Sequence, residues 1–211
     1  MKKVSAAADV FDRRALIYQE KYMDVSHYGD GLEKLCQQLK PNASILDVAC
    51  GPGNIARYVL ARRPDFQWHG IDLAPAMVQL AAANNPGALF TVADIRSIAG
   101  MGVTFDAIIC GFALPYLNQQ ETADFIVTAY HHLHTGGYLY LSTMEGNYEE
   151  SALQTSSSGD TLMIYYHHGN DILPLLQQQG FSIGYQHRWI NGNQPELIII
   201  AHKPDGEQKS Y

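Results

Sequence analysis

The chain has 211 residues, 46% of them hydrophobic and 17% charged, with a formal net charge of −7. That length suits one domain burying roughly 70% of its unfolded surface, and the composition is too apolar for a disordered chain. With 14 Lys and Arg against 21 Asp and Glu, no basic surface for tracking phosphates is expected, so nucleic acid is not an expected substrate.

In the opening MKKVSAAADVFDRRALIYQEKY, the charges of Asp9, Asp12, Arg13 and Arg14 leave no apolar stretch of signal-peptide length. No later segment has the roughly 18 uninterrupted apolar residues of a membrane span. Cys36, Cys50 and Cys110 form an odd, sparse set without CxxC spacing. They predict reduced thiols and a cytoplasmic setting.

The first two elements read as helices, Ala8–Met23 and Asp30–Leu39, the second ended by Pro41. Alternation follows. Ser44–Ala49 reads as a strand, Asn54–Arg63 as a helix stopped by Pro64, Phe66–Ile71 as a strand, and Pro75–Asn84 as a helix with Pro at its start. Ala88–Val92 and Phe105–Cys110 are further strands. Gln119–His134 is a helix closed by Thr135-Gly136-Gly137, and Tyr138–Thr143 is the next strand. Such alternation implies right-handed βαβ units and a mostly parallel sheet with helices on both faces.

The last third breaks the pattern. Ser156–Asp160 is rich in turn formers, Thr161–His167 reads as a strand, and Asp171–Gln179 as a helix ended by Gly180. Phe181–Arg188 and Glu196–His202 are two strands joined by Asn191-Gly192-Asn193, a turn so short that they must be antiparallel. The sheet is therefore expected to close on an antiparallel edge. The polar tail is expected to be mobile. These elements predict a single domain, with a helical cap over 1–40, an α/β core over 41–203 and a tail over 204–211.

The sharpest motif is Ile45-Leu46-Asp47-Val48-Ala49-Cys50-Gly51-Pro52-Gly53-Asn54, between a strand and its helix. Small residues at Ala49, Gly51 and Gly53 let the backbone turn sharply and approach a ligand. The N–H groups of the following helix face the same space. Asp72 ends the next strand, 21 residues after Gly51, where a carboxylate can accept hydrogen bonds from both hydroxyls of a ribose. Asp94 follows the third strand. Three acids at consecutive strand ends thus face one crevice. Gly51-Pro52-Gly53-Asn54-Ile55-Ala56 also fits GxGxxA, and Asp72 has the spacing for NAD. Asp47 argues the other way: a carboxylate inside the turn repels a pyrophosphate and welcomes an ammonium. A helix N-cap would also explain Asp94.

The series ILDVACGPGN, GIDLAPAMVQLA, VADI, FDAIICGFALPYL and HLHTGGYLYLS resembles, in order, the class I S-adenosylmethionine-dependent methyltransferases. The resemblance runs from about Ser44 to Thr143. It implies a Rossmann-like, seven-stranded, mostly parallel sheet whose last strand is antiparallel, and adenosylmethionine as the cofactor with adenosylhomocysteine as product. By motif position, Ala49, Gly51 and Gly53 would shape the loop under the methionine moiety, and Asp47 would orient its ammonium through water. Asp72 would hold the ribose, its side chain pointing into the crevice. Leu73 and Met77 would pack on the adenine, and Asp94 and the Ile95 backbone would read its edge. Cys110 and Gly111 would lie beneath the cofactor near its sulfonium. Ala49 departs from the Gly frequent in the family, which is harmless if its φ is negative; His134 stands where Lys is frequent. Glu145-Gly146-Asn147-Tyr148, Ser158-Gly159-Asp160 and Tyr165-Tyr166-His167 resemble a subgroup of small bacterial methyltransferases without defining a substrate.

The acceptor is expected over the carboxyl ends of the fourth and fifth strands, beside Phe112, Leu114, Pro115, Tyr116, Glu145, Asn147 and Tyr148, with Tyr18, Tyr22, His27 and Tyr28 of the cap above. Glu145, His167 and Tyr116 are the candidates for proton removal or substrate positioning. Each also has a plain structural reading, as a loop acid, a polar strand end and a rim aromatic. His131, His132, His134, His167 and His168 lack metal-ligand spacing, so no metal site is expected. The reading is methyl transfer to a small, apolar or aromatic molecule, independent of metal, with no nucleic acid and no membrane. The alternatives are an NAD-linked oxidoreductase and a non-catalytic adenosylmethionine-binding protein.

Overall fold

The computed structural model describes residues 2–156 and 159–205. At its centre is β1 (Ser44–Val48), buried at every position but the first. The chain then steps outward through α3 (Asn54–Leu60), β2 (Gln67–Asp72), α4 (Pro75–Asn84) and β3 (Leu89–Val92). It returns to the other side of β1 with β4 (Phe105–Gly111), α5 (Gln119–His132) and β5 (Leu133–Met144). It ends with α6 (Gly169–Gln179), β8 (Ser182–Asn191) and β9 (Gln194–His202). The seven-stranded order is β3-β2-β1-β4-β5-β9-β8. The first five strands pair in parallel, and β9 runs antiparallel to both β5 and β8. The order reverses between β1 and β4, which opens a crevice at their carboxyl ends.

The pleat sorts the core into two faces. Leu46, Val48, Ile108, Cys110, Leu139, Leu141, Leu197 and Ile199 pack with Phe125, Ile126, Ile172 and Leu176 of α5 and α6. Ile45, Ile109, Tyr140, Ile198 and Ile200 pack against Ile55 and Val59 of α3 and against Leu32 and Leu35 of α2 (Gly29–Gln38). The long first helix, α1 (Lys2–Tyr22), lies on α4, where Ala15 meets Ala74 and Met77.

Several boundaries differ from expectation. The antiparallel strand is last in sequence, yet it is not the edge. β9 carries Leu197–Ala201 buried on both faces, so it lies inside the sheet, while β8, alternating and half exposed, takes the edge. α5 stops at His132 rather than running into the glycine pair, because Leu133 is buried and pairs with Phe105 in extended conformation. Gly136, at φ +78°, makes a turn within β5 instead of ending α5. The carbonyls of Tyr130 and Leu133 at the end of α5 accept hydrogen bonds from Lys203 Nζ, both at 2.8 Å. Two short strands form a separate hairpin, β6 (Ala152–Thr155) with β7 (Thr161–Ile164). β6 is exposed throughout, so no alternation marks it in the sequence. β7 ends at Ile164, three residues before the expected His167. The expected mobile tail falls largely outside the described residues, as does part of the Ser156–Asp160 turn.

Candidate functional site

Asp47 lies near the carboxyl end of β1, only 1% exposed, and its Oδ2 has no hydrogen-bond partner. Burial, reinforced by the charge of Asp72 and opposed by the Trp68 indole N–H, which itself makes no hydrogen bond within range, raises its pKa well above the ordinary carboxylate value. The loop that follows is left-handed at Ala49 (φ +53°), Gly51 (φ +53°) and Gly53 (φ +75°). The negative φ expected for Ala49 is not found: an L side chain occupies a region that costs about 1–2 kcal/mol. Gly53 is required twice over, since a Cβ there would also meet Asn85 Nδ2 and the Ala81 backbone. At Gly51 the space is open, with the Tyr18 ring the nearest neighbour at 3.8 Å.

Asp72 holds this loop as well as facing the crevice. Its Oδ2 accepts the Gly51 N–H and its Oδ1 the Ala74 N–H, both at 2.9 Å. Burial raises its pKa despite these bonds. Asp94 is an N-cap. It accepts the backbone N–H of Arg96 at 2.9 Å and pairs with its guanidinium, which also reaches Glu121 at 3.0 Å.

A cavity of about 370 Å³ opens at these strand ends, a volume in the small-molecule range. Ala49, Gly51, Asp72, Leu73, Met77, Asp94, Ile95 and Gly111 line it. Phe11 of α1, Phe112 and Tyr116 after β4, and Leu162, Met163 and Tyr165 of the hairpin region line it too. Phe112 takes φ +56° there, held by its N–H to the Ser142 carbonyl at 3.0 Å. Tyr116 meets the edge of Phe11 at 5.1 Å between centroids. Burial pushes the Tyr116 phenol up to about 12, so its hydroxyl stays protonated.

α1 is tied down along its length. Asp12 accepts the Ala76 N–H at 2.7 Å and so caps α4, which has no cap of its own. Asn84 donates to Gln19 at 2.7 Å, and Asn54 to the Tyr22 carbonyl at 2.9 Å. Across the cavity, Arg13 and Arg14 reach Asp160 at 3.1 and 2.8 Å.

Five expected site residues do not line the cavity: Asp47, buried below the loop, Gly53, packed on Ala81 and Asn85, and Cys110, Glu145 and His167. Cys110 is fully buried; the pleat turns it to the α5–α6 face with Val48, and burial pushes its thiol up to about 12. Glu145 is a structural clip: its carboxylate accepts the Gly169 N–H at 2.9 Å and pairs with Arg188 at 2.7 Å. His167 is 4% exposed, and its Nε2 faces two carbonyls, Leu114 at 3.0 Å and Leu117 at 2.9 Å. That nitrogen must carry the proton, and burial lowers the ring's pKa. His167 thus fixes the turn that carries Tyr116 instead of touching the cavity. Tyr148 lies with it in a separate groove. Conversely, Phe11, Asp12, Leu162 and Met163 carried no signal of a site in the sequence, although Thr161–His167 read as a strand. Phe11 and Tyr18 share a helix face by their spacing, but the exposed β6 leaves no such signal.

Residues 45–137 match the methyltransferase domain family. A carboxy-S-adenosyl-L-methionine synthase from Campylobacter hominis is 27% identical over 142 residues, 64% of this chain and 58% of that protein. The chain spans about half the length of the curated relatives it matches. Among solved structures, an S-adenosylmethionine-dependent methyltransferase from Methanosarcina mazei superposes with a TM-score of 0.70 at 23% identity, covering 82% of this chain and 98% of that one. The magnesium protoporphyrin IX methyltransferase of Synechocystis, solved with bound adenosylmethionine, gives 0.65 at 19% identity, covering 84% and 78%. These structural likenesses concern the fold. The motif order, the strand order and the family match agree on a methyltransferase domain over residues 45–137.

Proposed function

We propose that this chain is an adenosylmethionine-dependent methyltransferase acting on a small molecule without a metal, and that residues 1–40 cap a core of 41–203 as one domain. The observation that carries the reading is the buried, unpartnered Asp47 oxygen beneath a left-handed Ala49–Gly53 loop at the cavity. A buried carboxylate without a partner is costly, and an ammonium brought near it, directly or through water, offsets that cost. Asp72 retains lone pairs for ribose hydroxyls beyond its two backbone bonds. Leu73, Met77 and Ile95 offer apolar faces to an adenine, and Asp94 and the Ile95 backbone stand at its edge.

Adenosylmethionine held by Asp47, Asp72 and the Ala49–Gly53 loop would supply an electrophilic sulfonium methyl group for transfer to the acceptor, with adenosylhomocysteine as the product. The protein's part is positioning and exclusion of water. Phe11 and Tyr18 of α1 line the cavity, the Leu114–Leu117 turn presents Tyr116, and Gly111 and Phe112 lie on its wall. Calorimetry with adenosylmethionine, adenosylhomocysteine and NAD tests the cofactor: heat from NAD alone would overturn the reading. Radiolabelled adenosylmethionine with fractionated small metabolites and with macromolecules tests the acceptor class. Labelling of macromolecules alone would refute a small acceptor.

A further inference from the structure

We propose that the part of the cavity between α1 and the β6–β7 hairpin is the acceptor subsite, and that it takes an uncharged group of the size of one aromatic ring. The assignment rests on the methyltransferase reading, which gives the other part of the cavity to the cofactor.

The wall of this subsite is built from Phe11, Phe112, Tyr116, Leu162, Met163 and Tyr165. Rings and a thioether at these positions offer apolar faces, and Met163 adapts its shape to an aromatic neighbour. The polar atoms among these side chains are two phenol hydroxyls, both kept protonated by burial. They can orient a ligand by hydrogen bonds but do not neutralise a charge.

Charge decides the class. Arg96 lines the cavity, and its guanidinium is already engaged by Asp94 and Glu121. Asp72, Asp94 and Glu121 are the acids on the lining, with Asp47 close to Asp72. A carboxylate or phosphate entering the aromatic wall would lose its hydration and meet this negative field. An uncharged ring meets neither cost, and an ammonium, though drawn by the acids, would lose its hydration against a wall whose own side chains carry no carboxylate.

Size follows from the closure. The cofactor shares the 370 Å³ cavity, and Asp160 at the hairpin is held by Arg13 and Arg14 of α1, its side chain 14% exposed. A compact group fits beneath this tie. The loop contacts that hold the wall in place are also defined: the Tyr165 N–H donates to the Pro115 carbonyl at 2.8 Å, so the hairpin side and the Tyr116 turn move as one piece.

The test uses the full chain with ¹³C-labelled methionine methyls, because Met77 lies in the cofactor part and Met163 in the acceptor part. Adenosylhomocysteine is added first, then benzyl alcohol, benzylamine or benzoate, which are similar in size and differ in charge. Adenosylhomocysteine is expected to shift the Met77 methyl, and benzyl alcohol then to shift Met163 while benzoate leaves it in place. A silent Met77 would count against the methyltransferase reading itself. With Met77 shifted, an unresponsive Met163 on adding benzyl alcohol, or a response to benzoate or benzylamine as strong as to benzyl alcohol, would overturn the subsite proposal. Met163→Arg is expected to weaken benzyl alcohol at least about tenfold by ligand-observed saturation transfer, with the Met77 shift by adenosylhomocysteine retained. Unchanged benzyl alcohol binding in that variant would place the ring elsewhere.

Discussion

Glu145 separates a structural role from a catalytic one in a single experiment. Its carboxylate accepts the Gly169 N–H at 2.9 Å at the start of α6, and pairs with Arg188 at 2.7 Å. Removing it with Glu145→Ala leaves that buried N–H without an acceptor, at a cost of about 1–3 kcal/mol. The ion pair adds at most about 1 kcal/mol, because the Arg188 side chain is 42% exposed and water screens it. The total is about 1–4 kcal/mol. At about 2–4 °C per kcal/mol for a chain of this size, Tm should fall by roughly 2–16 °C. Glu145→Gln keeps an oxygen for Gly169 and loses only the charge, so it should cost about 1 kcal/mol or less. Since the carboxylate does not line the cavity, adenosylhomocysteine affinity should be unchanged in Glu145→Gln. Thermal melts and calorimetry on the two variants check this. Equal Tm values for Ala and Gln, or a tenfold loss of cofactor affinity in the Gln variant, would refute the clip.

Ala49→Gly should relieve the left-handed strain at φ +53°, and after the entropy that glycine adds to the unfolded chain it should gain up to about 1 kcal/mol in urea titration. A lower urea midpoint would contradict the strain. Asp47→Asn should raise the Tm of the free protein while weakening adenosylmethionine, because it removes a buried charge that the ligand ammonium would satisfy. The pH sign follows: with the folded pKa above the unfolded value of 3.8, the folded state keeps a proton the unfolded chain releases. Stability therefore falls as pH rises from 3.8 towards the folded pKa, and Asp47→Asn should flatten that slope in pH-dependent denaturation. Asp72→Ala should weaken the cofactor by about 2–4 kcal/mol, or roughly 30- to several-hundred-fold. It should also lower Tm, since the Gly51 and Ala74 N–H groups lose their acceptor; an unchanged Tm with lost binding would show that the loop stands without it.

The Asp47–Asp94 side of the cavity was legible in the sequence because its information is local. Asp47 through Asn54 is one strand, one turn and one helix start, and the spacing to Asp72 and Asp94 follows from one βαβ unit after another. Apolar runs and glycine or proline stops were enough to set the parallel half of the sheet. The residues that set φ at Ala49 or the second task of Asp72 were in view, but what they do depends on a neighbouring strand and helix.

The acceptor side depended on contacts between distant segments, and no local pattern encodes them. Tyr165 and His167 look like neighbours on one strand face. Yet β7 ends at Ile164, so Tyr165 turns to the cavity and His167 is buried against the Leu114 and Leu117 carbonyls, about fifty residues away in sequence. Glu145 looks like an accessible loop acid until Arg188 and Gly169 arrive from the last helix and strand. The sequence by itself determined the alternation of strands and helices, the tight Ala49–Gly53 turn and the acids at the strand ends, because hydrophobic periodicity and turn chemistry act over a few residues. Only the tertiary structure decided which polar groups reach the cavity, because a buried polar side chain goes where its hydrogen bonds are satisfied, and those partners come from anywhere in the chain.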